Sequence, residues 1–405
     1  TNNYMIPIAL SGDISCNKDN LRHYVLESTR CIPGSSAVHF DEISRKRIFS
    51  AIDHAKLNTI QDIKKHYTNL KYRLGRIPSL LDFDRYGELD PLCIFDNNSL
   101  GSYHAFLSKY EKEYTVSFTQ QQEMILTFVS KKLANGKRIH ELWILQYLLE
   151  HPDDTGGVFH ALQAEMPVSN LLRNNLTAIL TNQFLSGTGK NTFKDCIFIE
   201  PSNDDYIISQ SFQKMIQNKA FVKSLKETVA FGMSRYKRDY QNTYKDTNLV
   251  LNRKYTYEDV CRLLNWNKQE VAQNIGGYKF DATTKTFPVF INYEKTDDIS
   301  DTIKYEDRFL ENDRLIAISK SRRTLSSMDV QNFLYAKQRG ISVYLFVRKN
   351  KDDNISKEFY FLGEMSATGN TESITMPNTD ASAVEIEWTL DVPVRDDMYE
   401  YITTK

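Results

Sequence analysis

The sequence predicts an α + β protein: a mostly helical N-terminal part, then a small curved β-sheet or barrel carrying short helices. Two changes of texture predict it. From about residue 60 to about residue 240, apolar residues recur at the three-and-four spacing that gathers them on one face of a helix. After Gly276-Gly277 the period falls to two, the period of a strand with one buried face. A polar run over residues 238–247 separates the two textures, so the helical part is read as 1–245 and the sheet part as 246–405. At 405 residues and 41% hydrophobic content, the chain has material for more than one core.

Residues 1–40 read as irregular, punctuated by Pro7, Gly12, Pro33 and Gly34, after which Asp41 caps a helix carrying Ile43, Ile48, Ile52 and Leu57. Amphipathic helices are predicted over 60–74, 102–110, 120–133, 139–149, 168–185 and 212–240. Connectors carry Pro or Gly, as in Arg76-Ile77-Pro78, Asp90-Pro91 and Gly156-Gly157. In the second part, Thr256 caps a short helix with Val260, Leu263 and Leu264 inward. Phe287, Val289, Ile291 and Tyr293 share one face of a strand. Ser326 or Ser327 opens a helix with Val330, Phe333 and Leu334 inward, and Gly340 closes it. Alternation returns over 341–348, a short apolar run over 359–362 suits a buried strand, and Val384, Ile386, Trp388 and Leu390 mark a last one.

Lys+Arg 51 against Asp+Glu 52 leaves almost no net charge, so any footprint for a polyanion must be local. Five dispersed cysteines without metal spacing read as reduced thiols. Without a signal peptide or a membrane-length apolar run, the expected compartment is the cytoplasm, with no membrane partner. The chain opens on Thr1 and runs at once into apolar sequence, as expected of a piece of a longer polypeptide.

No catalytic motif is complete. In Ser186-Gly187-Thr188-Gly189-Lys190-Asn191-Thr192 the first Walker A glycine position holds Phe184 and the hydroxyl position holds Asn191, so both the phosphate cradle and the magnesium ligand are missing. His54-Ala55-Lys56 opens like a phospholipase-D-type motif but has Gln61 where that motif needs Asp. Asp62-Ile63-Lys64 has nuclease spacing yet falls in a predicted helix, and Glu294-Lys295 lacks the spacer. Asp204-Asp205 and Asp297-Asp298 are adjacent carboxylates, and neighbours on an extended chain point apart. The expectation is a chain without catalytic residues, metal or cofactor of its own.

The densest chemistry lies in Lys304-Tyr305-Glu306-Asp307-Arg308-Phe309 and Ser319-Lys320-Ser321-Arg322-Arg323-Thr324. The second run places cations and hydroxyls just before a predicted helix, a composition that holds phosphate oxygens. Nearby aromatics, Tyr278, Phe290, Tyr293 and Tyr305 among them, supply faces on which an extruded base could stack. Asp307 or Glu306 can accept from cytosine N4–H.

Further motifs occur in order: Tyr257-Glu258-Asp259-Val260-Cys261-Arg262-Leu263-Leu264-Asn265-Trp266, Gly276-Gly277-Tyr278, Pro288-Val289-Phe290-Ile291 and Leu345-Phe346-Val347-Arg348-Lys349. With the two runs above, they resemble the domain of uncharacterised function that follows many bacterial superfamily-2 helicase cores. The opening Ile6-Pro7-Ile8-Ala9-Leu10-Ser11-Gly12-Asp13 and Arg76-Ile77-Pro78 also look like the region behind such cores. Within that group the chain is similar to the C-terminal region of ATP-dependent type IV methyl-directed restriction endonucleases. The resemblance implies a helical coupler followed by an SRA/PUA-like domain that reads 5-methylcytosine or 5-hydroxymethylcytosine in double-stranded DNA by base flipping. It implies helicase and nuclease domains upstream, which would carry the ATP and magnesium chemistry. In that setting Tyr278, Phe290, Tyr293, Tyr305 and Asp307 are the expected base pocket. Lys304, Arg308, Ser319, Lys320, Ser321, Arg322, Arg323 and Thr324 are the expected backbone contacts. Alternatives are a sequence-indifferent DNA clamp of a helicase, a dimerisation or protein-interaction coupler, and a nuclease with an unrecognised site.

Overall fold

A computed structural model describes residues 59–86, 89–293, 307–349, 357–376 and 380–403. The helix expected after Asp41, and with it His54, lies outside the described residues, as do Glu294, Lys295, Asp297, Asp298, Lys304, Tyr305 and Glu306. The chain divides into two compact units, meeting between Asn242 and Thr243, with Asn267–Gln269 belonging to the first.

Among the described residues the first unit is helical apart from one hairpin. Its helices are α1 (Ile60–Leu74), α2 (Leu80–Tyr86), α3 (Leu92–Asp96), α4 (Tyr103–Tyr110), α5 (Gln120–Phe128), α6 (His140–Glu150), α7 (Val158–Glu165), α8 (Asn170–Leu180), α9 (Gly187–Thr192), α10 (Gln210–Met215) and α11 (Lys219–Arg235). Caps decide where several begin: Thr59, Ser102, Thr119, Ser169 and Ser209 each accept a first-turn amide. The long helix predicted over 212–240 is two, because Asn218 stops one and its Oδ1 caps the next at Ala220 and Phe221. Likewise α8 ends at Leu180 rather than near 185, because Asn182 turns left-handed at φ 53°. Both α5 and α11 run on into π-helical turns, Val129–Leu133 and Tyr236–Tyr240. Ile63, Leu70, Phe83, Ile94, Phe95 and Phe106 form one apolar cluster of this unit.

Asp204-Asp205 does not lie in an open loop. Strands β1 (Ile199–Ser202) and β2 (Asp205–Ile208) close a tight hairpin with Asn203 at φ 51°. Asp205 is buried and accepts the first amides of α7 from Phe159 and His160, at 3.3 and 2.9 Å. Gly157, at φ 98°, leaves room for it; a Cβ there would stand 2.3 Å from Asp205 Oδ2.

The second unit is a mixed sheet curled into a half-barrel. Its elements are β3 (Lys254–Tyr255), α12 (Tyr257–Leu263), α13 (Ala272–Ile275), β4 (Thr286–Asn292), β5 (Arg308–Glu311), β6 (Arg314–Ile318), α14 (Met328–Leu334), α15 (Ala336–Arg339), β7 (Ser342–Arg348), β8 (Phe359–Thr375), β9 (Ser382–Leu390) and α16 (Asp396–Thr403). The strand order is β4-β7-β8-β9-β6-β5, with β3 also on β8. Among the described strands only β4 and β7 run parallel. They are buried on both faces, which is why 287–291 and 343–347 are almost wholly apolar.

The run at 359–362 is the start of a strand of 17 residues, not a short strand. Its first half pairs with β7 and its second with β9, and bulges opposite Leu345/Phe346 and between Ala367 and Thr371 bend it. Gly363 serves the first bend at φ 104°. Under the curl, α14 inserts Val330 and Phe333. The Phe333 ring stacks on Phe287 at 4.1 Å and meets Trp388 edge-on at 5.1 Å. No helix among the described residues is long and apolar enough to cross a membrane.

Candidate nucleic-acid interface

The cationic run Ser319–Thr324 forms the loop between β6 and α14. It is stapled at three points. Ser319 prolongs the β6–β9 ladder, exchanging hydrogen bonds with Val384 through its own amide and hydroxyl, both at 2.9 Å. Lys320 turns inward: its amide donates to Tyr278 Oη at 2.9 Å, and its ammonium donates to the carbonyls of Ile275 and Tyr278 at 2.8 and 2.9 Å. Arg323 donates its amide to Ser382 O at 3.1 Å and its Nε to Asp329 Oδ2 at 2.7 Å.

Tyr278 is the keystone. Its hydroxyl accepts from the Lys320 amide and donates to Asp329 Oδ2 at 2.9 Å, so one phenol joins the loop to the first turn of α14. Burial pushes this phenol above its ordinary range. Burial also acts to raise the Asp329 carboxyl, but the hydrogen bonds from Arg323 and Tyr278 prevail and hold it below the usual value. The Lys320 ammonium is pushed down by burial and by the charge of Arg323.

Between the staples, Ser321 and Arg322 stand exposed, with Arg322 left-handed at φ 61°. Arg322 makes no hydrogen bond or ion pair with any described residue, and a non-glycine residue held left-handed costs on the order of 1 kcal/mol. Thr324 is exposed too; its amide donates to Ser327 Oγ at 2.9 Å. The run therefore divides by role. Lys320 and Arg323 brace it, while Ser321, Arg322 and Thr324 are presented to solvent.

The other expected site residues fall elsewhere. Tyr278 (6% exposed) and Phe290 (4%) are core residues. The first packs against Phe287 and Phe333, and the second against Phe346 and Phe359, so neither offers an open face to a base. Tyr293 is half-buried at the end of β4, with its ring 5.8 Å from Phe309 and its hydroxyl toward the Phe309 amide at 3.5 Å. Asp307 Oδ1 accepts the Ile318 amide at 2.8 Å, fixing the end of β6 from which the loop departs. Arg308 is bidentate with the buried Glu385 across the sheet, at 3.1 and 3.2 Å. Lys304 and Tyr305 lie outside the described residues.

Several of the incomplete catalytic motifs fall among the described residues. Gly187–Thr192 is a short helix, and Asp62 belongs to the cap of α1, accepting from Thr59 Oγ1 at 2.6 Å. Among the described residues no group of His, Cys, Asp and Glu could hold a metal ion.

Sequence reasoning passed over Leu325, Met328 and Tyr335, which are 41%, 72% and 47% exposed. The signal was available. Met328 and Tyr335 are seven residues apart, opposite the Val330/Phe333 stripe, so they are apolar residues on what should be the polar face of a helix.

Residues 63–240 match a domain of unknown function, DUF8090, and residues 249–402 match another domain of unknown function, DUF3427. The two matches correspond closely to the two units. No curated protein matches the chain.

Proposed function

We propose that the C-terminal unit reads 5-methylcytosine or 5-hydroxymethylcytosine in double-stranded DNA by flipping the base. In this reading it is the recognition part of an ATP-dependent type IV restriction endonuclease, and the helical unit is its coupler. One observation carries the DNA-binding step: a braced loop that turns two cations inward and holds Ser321, Arg322 and Thr324 outward. Fixed donors of this kind suit phosphate oxygens, which set register but carry no sequence information. The preference for a modified base comes from the family resemblance. Tyr278 and Phe290 are consumed by the core, so of the expected pocket aromatics among the described residues only Tyr293 is left to this reading.

A buried methyl group contributes about 1 kcal/mol, roughly a fivefold preference, and more requires a pocket that excludes other bases by shape. The test is binding of the whole chain to matched duplexes carrying cytosine, 5-methylcytosine or 5-hydroxymethylcytosine. At least about a fivefold preference for a modified duplex is expected. A rise in fluorescence of 2-aminopurine beside the modified base should accompany it. Equal affinities with steep salt dependence would refute the reading and leave a sequence-indifferent clamp.

A further inference from the structure

The outer face of α14 and α15 is apolar and cationic at once. Met328 and Tyr335 project from the side opposite Val330 and Phe333, which are buried in the core. The guanidinium of Arg339 ties the two together: its centre lies 5.9 Å from the Tyr335 ring centroid, and its Nη1 lies 3.9 Å from Met328 Sδ. Asn332 Oδ1 accepts from the same guanidinium, which keeps it in place.

The ring cannot sink into the unit. Tyr335 sits at the junction of the two helices, its amide bonded to Gln331 O and its carbonyl accepting from the Arg339 amide, each at 3.0 Å. Its neighbours Phe333 and Ala336 are 3% and 7% exposed, anchoring the backbone on both sides. Across residues 319–340, Lys320 and Arg323 are turned inward, and the exposed cations are Arg322, Lys337 and Arg339; the single carboxylate of the stretch, Asp329, is turned toward Arg323 and Tyr278.

Cations without an exposed carboxylate call for an anionic partner. An exposed aromatic ring with a thioether beside it calls for something flat and apolar. Nucleic acid joins both properties, but a duplex hides its base faces in the stack, whereas an unpaired strand offers them. We infer that this face binds single-stranded nucleic acid, with Tyr335 as the stacking platform, Met328 as its apolar flank, and Arg339 and Lys337 facing the phosphates. This activity is separate from the reading of modified duplexes and does not depend on it.

The test is fluorescence anisotropy of the whole chain with a labelled oligothymidine and, separately, with an unmodified duplex. Tyr335→Ala should weaken oligothymidine binding by at least about fivefold, as loss of one stacked base does, and leave duplex binding unchanged. Tyr335→Phe should change it by less than about twofold, because stacking needs the ring and not the hydroxyl. Met328→Ala should weaken it without altering the slope of affinity against salt, since no charge is removed. Wild-type affinity for oligothymidine in Tyr335→Ala would overturn the inference, as would equal losses for strand and duplex. Binding to phosphatidylserine vesicles that Tyr335→Ala abolishes, with oligothymidine binding untouched, would assign the face to a membrane instead.

Discussion

Replacing Tyr278 by phenylalanine removes one oxygen and nothing else from the core. That oxygen holds two hydrogen bonds of 2.9 Å, one from the Lys320 amide and one to Asp329. In Tyr278→Phe the amide loses its acceptor in a part-buried position, at a cost of about 1–3 kcal/mol. Asp329 keeps Arg323 at 2.7 Å, so its loss is smaller. The second unit should lose about 2 kcal/mol in all, roughly thirtyfold in its unfolding equilibrium. The ring contacts with Phe287 and Phe333 remain, so no cavity adds to the loss.

Two assays read this prediction. Denaturant unfolding gives the stability, and amide hydrogen exchange gives the local effect, since protection at Lys320 should fall selectively. The pH dependence has a definite sign. Asp329 is held below its usual carboxyl range in the folded state, so its contribution is present above about pH 4 and is lost as pH falls through the folded value. With one of its three donors gone (Arg323 and the Val330 amide remain), that acid-side contribution should shrink in Tyr278→Phe. Wild-type protection at Lys320 together with a loss below about 0.5 kcal/mol would refute the brace.

Two further outcomes are expected. Arg322→Gly should weaken binding to modified and unmodified duplexes alike and lower the salt slope by about 0.9. It should leave the unit no less stable, because glycine relieves the left-handed backbone at φ 61°; a stability loss above about 1 kcal/mol would show that Arg322 is structural. In the helical unit, Asp82 accepts from Arg76 at 2.7 and 3.0 Å and from Ser79. Burial works against its charged form, but these bonds prevail and lower its carboxyl to about 2. Asp82→Asn should cost about 1 kcal/mol at neutral pH, a figure discounted because Arg76 is half exposed. The difference should vanish as pH falls from about 4 toward 2, and a cost independent of pH would exclude the ion pair as its source.

Much of the fold was legible because periodicity and capping agree. Helix α1 falls on the predicted span 60–74, Ser327 and Gly340 bound the α14–α15 pair, and Val384, Ile386, Trp388 and Leu390 are all buried. The hairpin of β5 and β6 was hidden, because its short strands are half-exposed and carry charges that read as a binding motif. Long β8 was hidden too: its outer half is polar, and its bulges break the alternation by which a strand is recognised. The site was harder still. Composition located the cationic loop but could not tell a lysine that braces from an arginine that reaches out, since that depends on Tyr278 and Asp329, 42 residues before Lys320 and six after Arg323. The aromatics of 278–290 have the residue types of a stacking pocket, yet the same types fill cores, and here Tyr278 and Phe290 do.

Strand β8 follows two partners in different phases. Opposite β7 it counts one extra residue, Leu362, and along β9 it slips again between Ala367 and Thr371. It is a splice in which the bulge takes up the odd residue, so the faces on both sides of it stay in phase with β7. Loss of Leu362 alone would make Phe361 and Gly363 ordinary alternating neighbours, since their partners Phe346 and Leu345 already face opposite ways; Met365 and Glu364 would keep their faces, and the bend at the bulge would be lost. Relatives of this architecture can lose the one residue at this bulge without turning a side chain over, whereas a single residue gained or lost elsewhere along the paired strand would exchange its two faces.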